Sequence, residues 1–540
     1  MIILNSSPPD RSLESMGITN IPKGLPDDNH LYIPIDLDPH QFHDITCNTE
    51  DDSSPASSAK AEMPAQAQKL DWVDGLRGFA AWQVCNLHFL QPVVSGSGAH
   101  HAIQEILAGH NSVMLFFILS GRVLLSGFLK RRDPAIISSS AFRRPLRLGL
   151  PIYATLALHA LLVWLGAYEI NRPAREILRE RGLHNWFNVP EARDVDHPAL
   201  HGFGAFLWAV PRMVRSVGKG RVEVMFLYNE LIPYPNRVHW TLPIELTQSY
   251  VLFALAIFAT YISSRRWIMY FIVMFITWYT TGWTTPFAAG LTLADAAHAG
   301  QLAKLQTSRA WRLILHPLFL FTTALLWFLT SMRNTDAWLK NLSQTLLHKW
   351  VPDPDWNQQG AIGSGDFSTI PFWKFDNVVF AHALTLILAI ELTPALQRVF
   401  AARIMRFLGN ISYMLYLVHP LVHAVVPSLV VRFAPSALPN WAIVMLAYVV
   451  DMGVVVIAAW ALYRGVDAPA VRAAQGAFDV VFKEPVAVSG RRAGRLVRGV
   501  VMWIVRRGAA GLRGLMAGRA MWRVGLREHR SARGGAEAVA

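Results

Sequence analysis

Apolar stretches of bilayer-spanning length, about 20 residues each, recur along this chain at 73–92, 112–129, 146–167, 240–262, 267–283, 286–302, 313–331, 375–393, 411–431 and 441–463. No other feature narrows the fold as far. A backbone crossing lipid must satisfy its own hydrogen bonds, which leaves helices or a closed barrel, and runs this long and continuous read as helices. With 53% hydrophobic residues, 16% charged residues and 19 Trp, the composition lies outside that of ordinary soluble globules. The expected fold class is therefore all-α, a polytopic membrane protein of about ten transmembrane helices. The stretch at 286–302 is the weakest, because it carries Asp295 and His298, and without it the C-terminus changes sides.

Basic residues set the expected orientation. Dense Lys/Arg follows alternate stretches: Lys130, Arg131 and Arg132, then Arg265 and Arg266, then Lys304, Arg309 and Arg312, then Arg398, Arg403 and Arg406. That is the pattern of ten spans with both termini in the cytoplasm. The expected membrane is an endomembrane or the plasma membrane. Residues 1–70, rich in Ser, Pro, Asp and Glu and without a signal-peptide core, form an expected disordered cytoplasmic leader. Residues 71–470 form the transmembrane domain and 471–540 a basic tail. From Gly490 the tail interleaves arginines with Val, Leu, Met and Trp, which suits either an amphipathic helix on the cytoplasmic leaflet or a solvated tail. Part of the long linker 168–239, HGFGAFLWAVPRMVRSVGKG, is also amphipathic. Asn341 in KNLSQ is a glycosylation sequon expected on the outside, whereas Asn5 in LNSS is expected inside.

Charge and cysteine usage exclude other classes. The formal charge of +13 is concentrated in short segments beside apolar runs, where anionic lipid and topology act, so nucleic acid is not an expected partner. Cys47 and Cys85 are the two cysteines and supply neither a metal-ligand cluster nor a disulfide framework. No metal and no resident cofactor are expected.

Ionisable residues inside the apolar stretches carry the functional signal, since a charge in lipid is costly unless it is used. Arg77 and His88 stand eleven positions apart in DGLRGFAAWQVCNLHF. Three helical turns put them on one face roughly 16 Å apart. Arg77 snorkelling to headgroups and His88 bonding a neighbouring helix is the structural alternative. Ser120, Gly121 and Arg122 sit mid-stretch in FFILSGRVLL, and Arg122 needs a partner or a wet cavity. Arg144 and Arg147 in FRRPLRLGLPIY share a helix face, where their forks suit phosphate or serve as positive-inside anchors. His239, Trp240 and Glu245 lie in NRVHWTLPIELTQSY. Tyr413, Tyr416, His419 and His423 follow at helical spacing in ISYMLYLVHPLVH, and Asp451 is midway along the last stretch. Each alone suits an inter-helix hydrogen bond; together they argue for a polar interior.

These segments, in this order, resemble the integral-membrane acyltransferase-3 family of O-acyltransferases, in its fungal-type form. LDWVDGLRGFAAWQVCNLHF is similar to the family's opening span, VMLFFILSGRVLL to its Phe-Phe-x-x-Ser-Gly span and FRRPLRLGLPIY to its basic entry to span three. HWTLPIELTQSY resembles its Trp-Ser/Thr-Leu-x-x-Glu motif, and LGNISYMLYLVHP its Ser-Tyr-x-x-Tyr-x-x-His segment. The resemblance covers about Leu70 to Pro469. It implies about ten helices, an acyl-CoA co-substrate and transfer of an acetyl or other short acyl group to a hydroxyl. His88 and Arg77 would be the catalytic pair, Arg144 and Arg147 with Ser120 and Gly121 would bind the donor, and Glu245, Trp240, Tyr413 and His419 would support them. Arg122 stands where the family usually has an aromatic or apolar residue, and Asp467 where it usually has Glu.

On that resemblance His88 acts as general base on the acceptor hydroxyl or as transient acyl carrier; an imidazole serves either way. The expected partners are acyl-CoA, a hydroxyl-bearing small-molecule acceptor (a secondary metabolite, lipid or sugar) and the bilayer. A secondary transporter would also use buried His, Arg and Asp, although no internal repeat of the kind such folds often show relates the two halves. A non-catalytic sensor or scaffold is the third class.

Overall fold

A computed structural model describes residues 70–94, 109–183, 190, 204–209, 211, 236–262, 265–279, 283–332 and 377–483. The leader, Asn5, Asn341, most of the amphipathic part of 168–239 and the tail from Gly490 lie outside them.

Over its described residues, each of the ten expected stretches overlaps a helix. The helices are α1 (Asp71–Val94), α2 (Gly109–Leu124) continued by α3 (Ser126–Arg131), α4 (Pro134–Trp164), α5 (Asn171–Glu180), α6 (Thr241–Ile262), α7 (Arg266–Tyr279), α8 (Thr284–His298), α9 (Gln301–Thr307), α10 (His316–Met332), α11 (Asn377–Leu392), α12 (Pro394–Phe400), α13 (Arg403–His423), α14 (Val426–Phe433), α15 (Asn440–Leu462) and α16 (Ala468–Phe482). Helices α5, α9, α12, α14 and α16 are surface, bent or terminal pieces beyond those stretches or at their ends. Among the described residues, four helical segments are long and apolar enough to cross a bilayer, or up to six if each bent pair is one span. The bent pairs are α11 with α12, at 103°, and α13 with α14, at 40°. This is a multi-pass helical membrane protein. Helix α1 is not among the four, since Asp71, Asp74, Arg77 and His88 dilute its apolar run.

Local sequence explains the breaks. Arg132 closes α3 in the left-handed region, φ 55°, and its backbone N–H donates to Phe128. Asp133 then caps α4 by accepting from the Ala135 N–H, with Pro134 at the first helical position. Pro394 opens α12 and Pro427 lies in the first turn of α14. At the far end, a π-helical turn at Tyr463–Asp467 joins α15 to α16. Helix α16 packs on α4 through Phe142 with Phe478 and Phe482, so residues 471–482, assigned from sequence to the tail, belong to the bundle.

Helix α1 sits at the centre and packs along α13 and against α2. Close approach is set by glycine. A Cβ on Gly409 would lie 2.2 Å from the Asp74 carbonyl oxygen, and one on Gly121 would lie 2.1 Å from that of Phe287 on α8. Such backbone-to-backbone contact is how helices associate where lipid offers no hydrophobic contrast. The core of α1, α4, α13 and α15 is built from residues such as Ala81, Ile152, Met414, Leu415 and Val455, while Phe271, Ile276, Leu318, Phe321, Trp441 and Ile457 face outward, as lipid contact requires.

Two buried charges are paired across helices. Arg122 makes a two-pronged contact with Glu391 of α11, Nε to Oε2 at 3.1 Å and Nη2 to Oε1 at 2.5 Å. Asp295, which makes 286–302 the weakest stretch, accepts from Arg132 (3.2 Å), Arg266 (2.6 Å) and Tyr270 (3.3 Å). Two arginines and a tyrosine thus allow α8 to bury a carboxylate completely.

Candidate active site

A cavity of about 710 Å³ opens where α1, α2, α4, α6, α13 and the α15–α16 junction converge. Asp74 and Arg77 project into it from α1, Ser120 from α2, Arg143, Arg144 and Arg147 from α4, Thr241 and Glu245 from α6, Tyr413 and Tyr416 from α13, and Asp467 and Arg472 from the junction. Arg144 Nη2 donates to Glu245 Oε1 at 2.7 Å, and Ser120 Oγ donates to the same oxygen at 3.2 Å. The Tyr413 hydroxyl donates to the Leu148 carbonyl at 2.8 Å. Arg144 Nε is buried and finds no acceptor among the described residues. The wall therefore holds several guanidiniums around a limited acidic complement and one unused donor, which suits an anionic ligand with several oxygens.

Tyr416 forms the inner wall. Its hydroxyl donates to the Val238 carbonyl at 2.6 Å and lies 3.0 Å from Thr241 Oγ1, while its ring packs at 6.0 Å from both Phe116 and His419. Behind it, His88 of α1 and His419 of α13 stack at 5.1 Å, with His88 Nδ1 2.9 Å from His419 Nε2.

The partners of that pair fix its tautomers. His419 Nδ1 lies 3.1 Å from the Leu415 carbonyl, which only accepts, so Nδ1 carries the hydrogen. The neutral ring then presents a lone pair at Nε2, and His88 must donate to it from Nδ1–H. The lone pair of a neutral His88 consequently resides on Nε2. A histidine oriented through its other nitrogen in this way is the arrangement used for a general base or nucleophile. Beyond His419, the His423 ring lies 5.3 Å away; its Nε2 is 3.1 Å from the Cys85 carbonyl and its Nδ1 2.6 Å from Asp451 Oδ2.

Arg77 and His88 share α1 as expected but occupy two stations, Arg77 in the cavity and His88 at the histidine pair. Glu245, which could have partnered Arg77, is held by Arg144. Ser120, Arg144, Arg147, Glu245 and Tyr413 come together in the cavity, and His419 meets His88 directly. Gly121 does not join them; it is the backbone contact with α8. Trp240 lies outside the lining, 6.0 Å from Trp283. Arg122 is spent on Glu391 rather than on the cavity, whereas Asp467 lines it. The roles of Tyr416, Arg143, Asp74 and Arg472 were not assigned from sequence. Tyr416 and Arg143 each stood inside a quoted motif, at helical spacing from a residue that was chosen.

Helices of spanning character surround a polar cavity, with an oriented histidine pair behind its inner wall. Residues 70–464 match the acyltransferase-3 family, described as an acyltransferase domain. The chain belongs to that family and is an acyltransferase. It is also similar to the O-acetyltransferase PaAT-1 of Phomopsis amygdali, 25% identical over 417 residues, covering 70% of this chain and 77% of that protein. No solved structure matches. Family membership supports the acyltransferase reading over the transporter and scaffold readings.

Proposed function

We propose that this protein is a membrane O-acyltransferase that moves an acetyl or other short acyl group from acyl-CoA to a hydroxyl of a small molecule, a secondary metabolite, lipid or sugar. The observation that carries the reading is the His88–His419 contact, because it places the lone pair of a neutral His88 on Nε2. Arg77, Arg144 and Arg147 bind the donor phosphates in the cavity, which opens to the cytoplasm beside the basic α2–α4 linker; both termini lie on that side. The thioester reaches past Tyr416 toward His88. As the acceptor hydroxyl attacks the thioester carbon, its proton passes to His88 Nε2, the new O–C bond forms, the C–S bond breaks, and the proton passes on to the leaving CoA thiolate. An acyl-histidine route uses the same lone pair: Nε2 attacks the thioester carbon, the C–S bond breaks and CoA leaves as the thiolate; the acceptor hydroxyl then attacks the acyl carbon, the N–C bond breaks, and the hydroxyl proton passes to the freed Nε2 and on to the thiolate. The imidazolium that develops on His88 keeps its Nδ1–H bond to His419 in either route.

Acetyl is the leading group because the similar protein of Phomopsis amygdali is named for it. The reading is tested by incubating purified protein in nanodiscs with acetyl-CoA and extracts of a strain lacking the protein. CoA thiol should be released together with a product heavier by one acetyl group than a metabolite accumulating in that strain. Absence of thiol release across acceptor pools would reject it.

A further inference from the structure

We infer that Asp451 and His423 form a proton-sharing clamp that positions the His88–His419 pair. This deepens the proposed function and rests on its reading of His88 as the reacting base.

His419 stands at a weak place in its helix. Pro420 follows it, lacking the N–H that would close onto Tyr416, and four residues later α13 ends and the chain turns 40° into α14. Helix continuity alone therefore does not hold the His419 imidazole against α1. His423, the last residue of α13, reaches both neighbours of that turn. Its Nε2 lies 3.1 Å from the Cys85 carbonyl on α1, three residues before His88, and its Nδ1 lies 2.6 Å from Asp451 Oδ2 on α15. The clamp links α15 through α13 to α1 at the level of the 2.9 Å His88–His419 contact.

Its proton inventory follows from the acceptors. A carbonyl cannot donate, so His423 Nε2 carries a hydrogen. A neutral ring would then turn its Nδ1 lone pair toward the Asp451 oxygen, and two lone pairs at 2.6 Å repel. A single proton held between Nδ1 and Oδ2 relieves that repulsion, the two atoms facing each other off the hydrogen-bond axis. Asp451 is fully buried, so the shared proton is also what lets a carboxylate exist there. With that proton the pair is neutral overall and His423 has both nitrogens committed. The partner of a reacting histidine is itself held by an outer polar pair, a known way of fixing imidazole orientation. The α1–α15 contact does not depend on Asp451 alone, because Tyr448 donates to Asn86 at 2.7 Å beside the same turn.

Asp451 and His423 are thus positioning residues, and the test reads His88 itself. Diethylpyrocarbonate acylates the neutral imidazole lone pair, and labelling of the His88 peptide can be followed by mass spectrometry in the full-length protein in nanodiscs. Asp451→Leu should slow labelling of His88 at least about fivefold by freeing its tautomer and orientation, with acetyl-CoA affinity unchanged. Asp451→Asn should restore labelling to within about threefold of wild type, because the amide N–H can donate to a neutral His423 Nδ1 and remake the bridge. Labelling in Asp451→Leu that is unchanged or faster would overturn the clamp. So would failure of Asp451→Asn to restore it, or loss of labelling together with donor affinity and thermal stability in both variants, which is fold damage. If Asp451 controls His88 labelling but wild-type protein does not bind acetyl-CoA, the clamp stands and the acyl-CoA reading falls.

Discussion

Arg144 and Glu245 meet at 2.7 Å across the cavity wall, and Ser120 donates to the same carboxylate oxygen, so three helices converge on one acceptor. Arg147, one turn further along α4, faces the cavity without sharing that carboxylate. The two arginines should therefore separate by assay. Arg147→Gln should weaken acetyl-CoA binding by about 1.5–3 kcal/mol, the scale of one charge-assisted contact. Arg144→Gln should lose donor affinity and also lower the unfolding temperature, since it strips Glu245 of its ion pair. Calorimetric titration with acetyl-CoA beside thermal unfolding checks both. Unchanged affinity in well-folded Arg147→Gln would return that residue to a topological anchor.

The histidine pair predicts a hierarchy. His88→Ala removes the group that moves the proton and should lower turnover at least about a hundredfold. His419→Ala leaves that lone pair in place but unoriented, so it should cost less. A merely structural inter-helix histidine bond is worth about 0.6 kcal/mol, which would leave most activity intact in both variants. Rates of CoA thiol release, normalised to monodisperse protein, decide between these. A well-expressed His88→Ala protein with near wild-type turnover would remove the base.

Topology supplies a test independent of chemistry. In a eukaryotic host, only Asn341 of the pair Asn5 and Asn341 should accept glycan if both termini are cytoplasmic. Glycosidase-sensitive mobility shifts in Asn341→Gln and Asn5→Gln proteins read this out, and modification at Asn5 would invert the orientation.

What was legible in the sequence was whatever local pattern encodes. Apolar length located the long helices but not the short polar ones such as α5, and the motifs singled out Arg77, Arg144, Arg147, Glu245 and Tyr413, which the fold gathers at one cavity. Contacts between distant segments were not legible. Nothing near Arg122 announces Glu391, 269 positions away, and nothing near Asp451 announces its contact with His423. Gly121 shows the same limit, because its motif marks it beside Ser120 yet adjacent helical positions point to different faces. Ser120 turns to the cavity and Gly121 to the α8 backbone, where any added Cβ would collide with Phe287. Helix breaks at Arg132 and Pro394 could be read locally, but the bundle role of 471–482 could not, since that segment's partner is α4.

Arg122 and Glu391 give the sharpest stability prediction. Their side chains are 3% and 9% exposed, so removing one partner leaves an uncompensated charge between α2 and α11. Arg122→Leu or Glu391→Leu alone should cost about 3–5 kcal/mol, seen as lost expression or a steep fall in unfolding temperature. The double replacement Arg122→Leu with Glu391→Leu removes both desolvation penalties and should recover most of that loss, because an apolar pair of similar volume often matches a buried ion pair. Acetyl-CoA affinity should be untouched in the double variant, as neither residue lines the cavity. A double variant that folds but has lost donor binding would instead place Arg122 in the donor site.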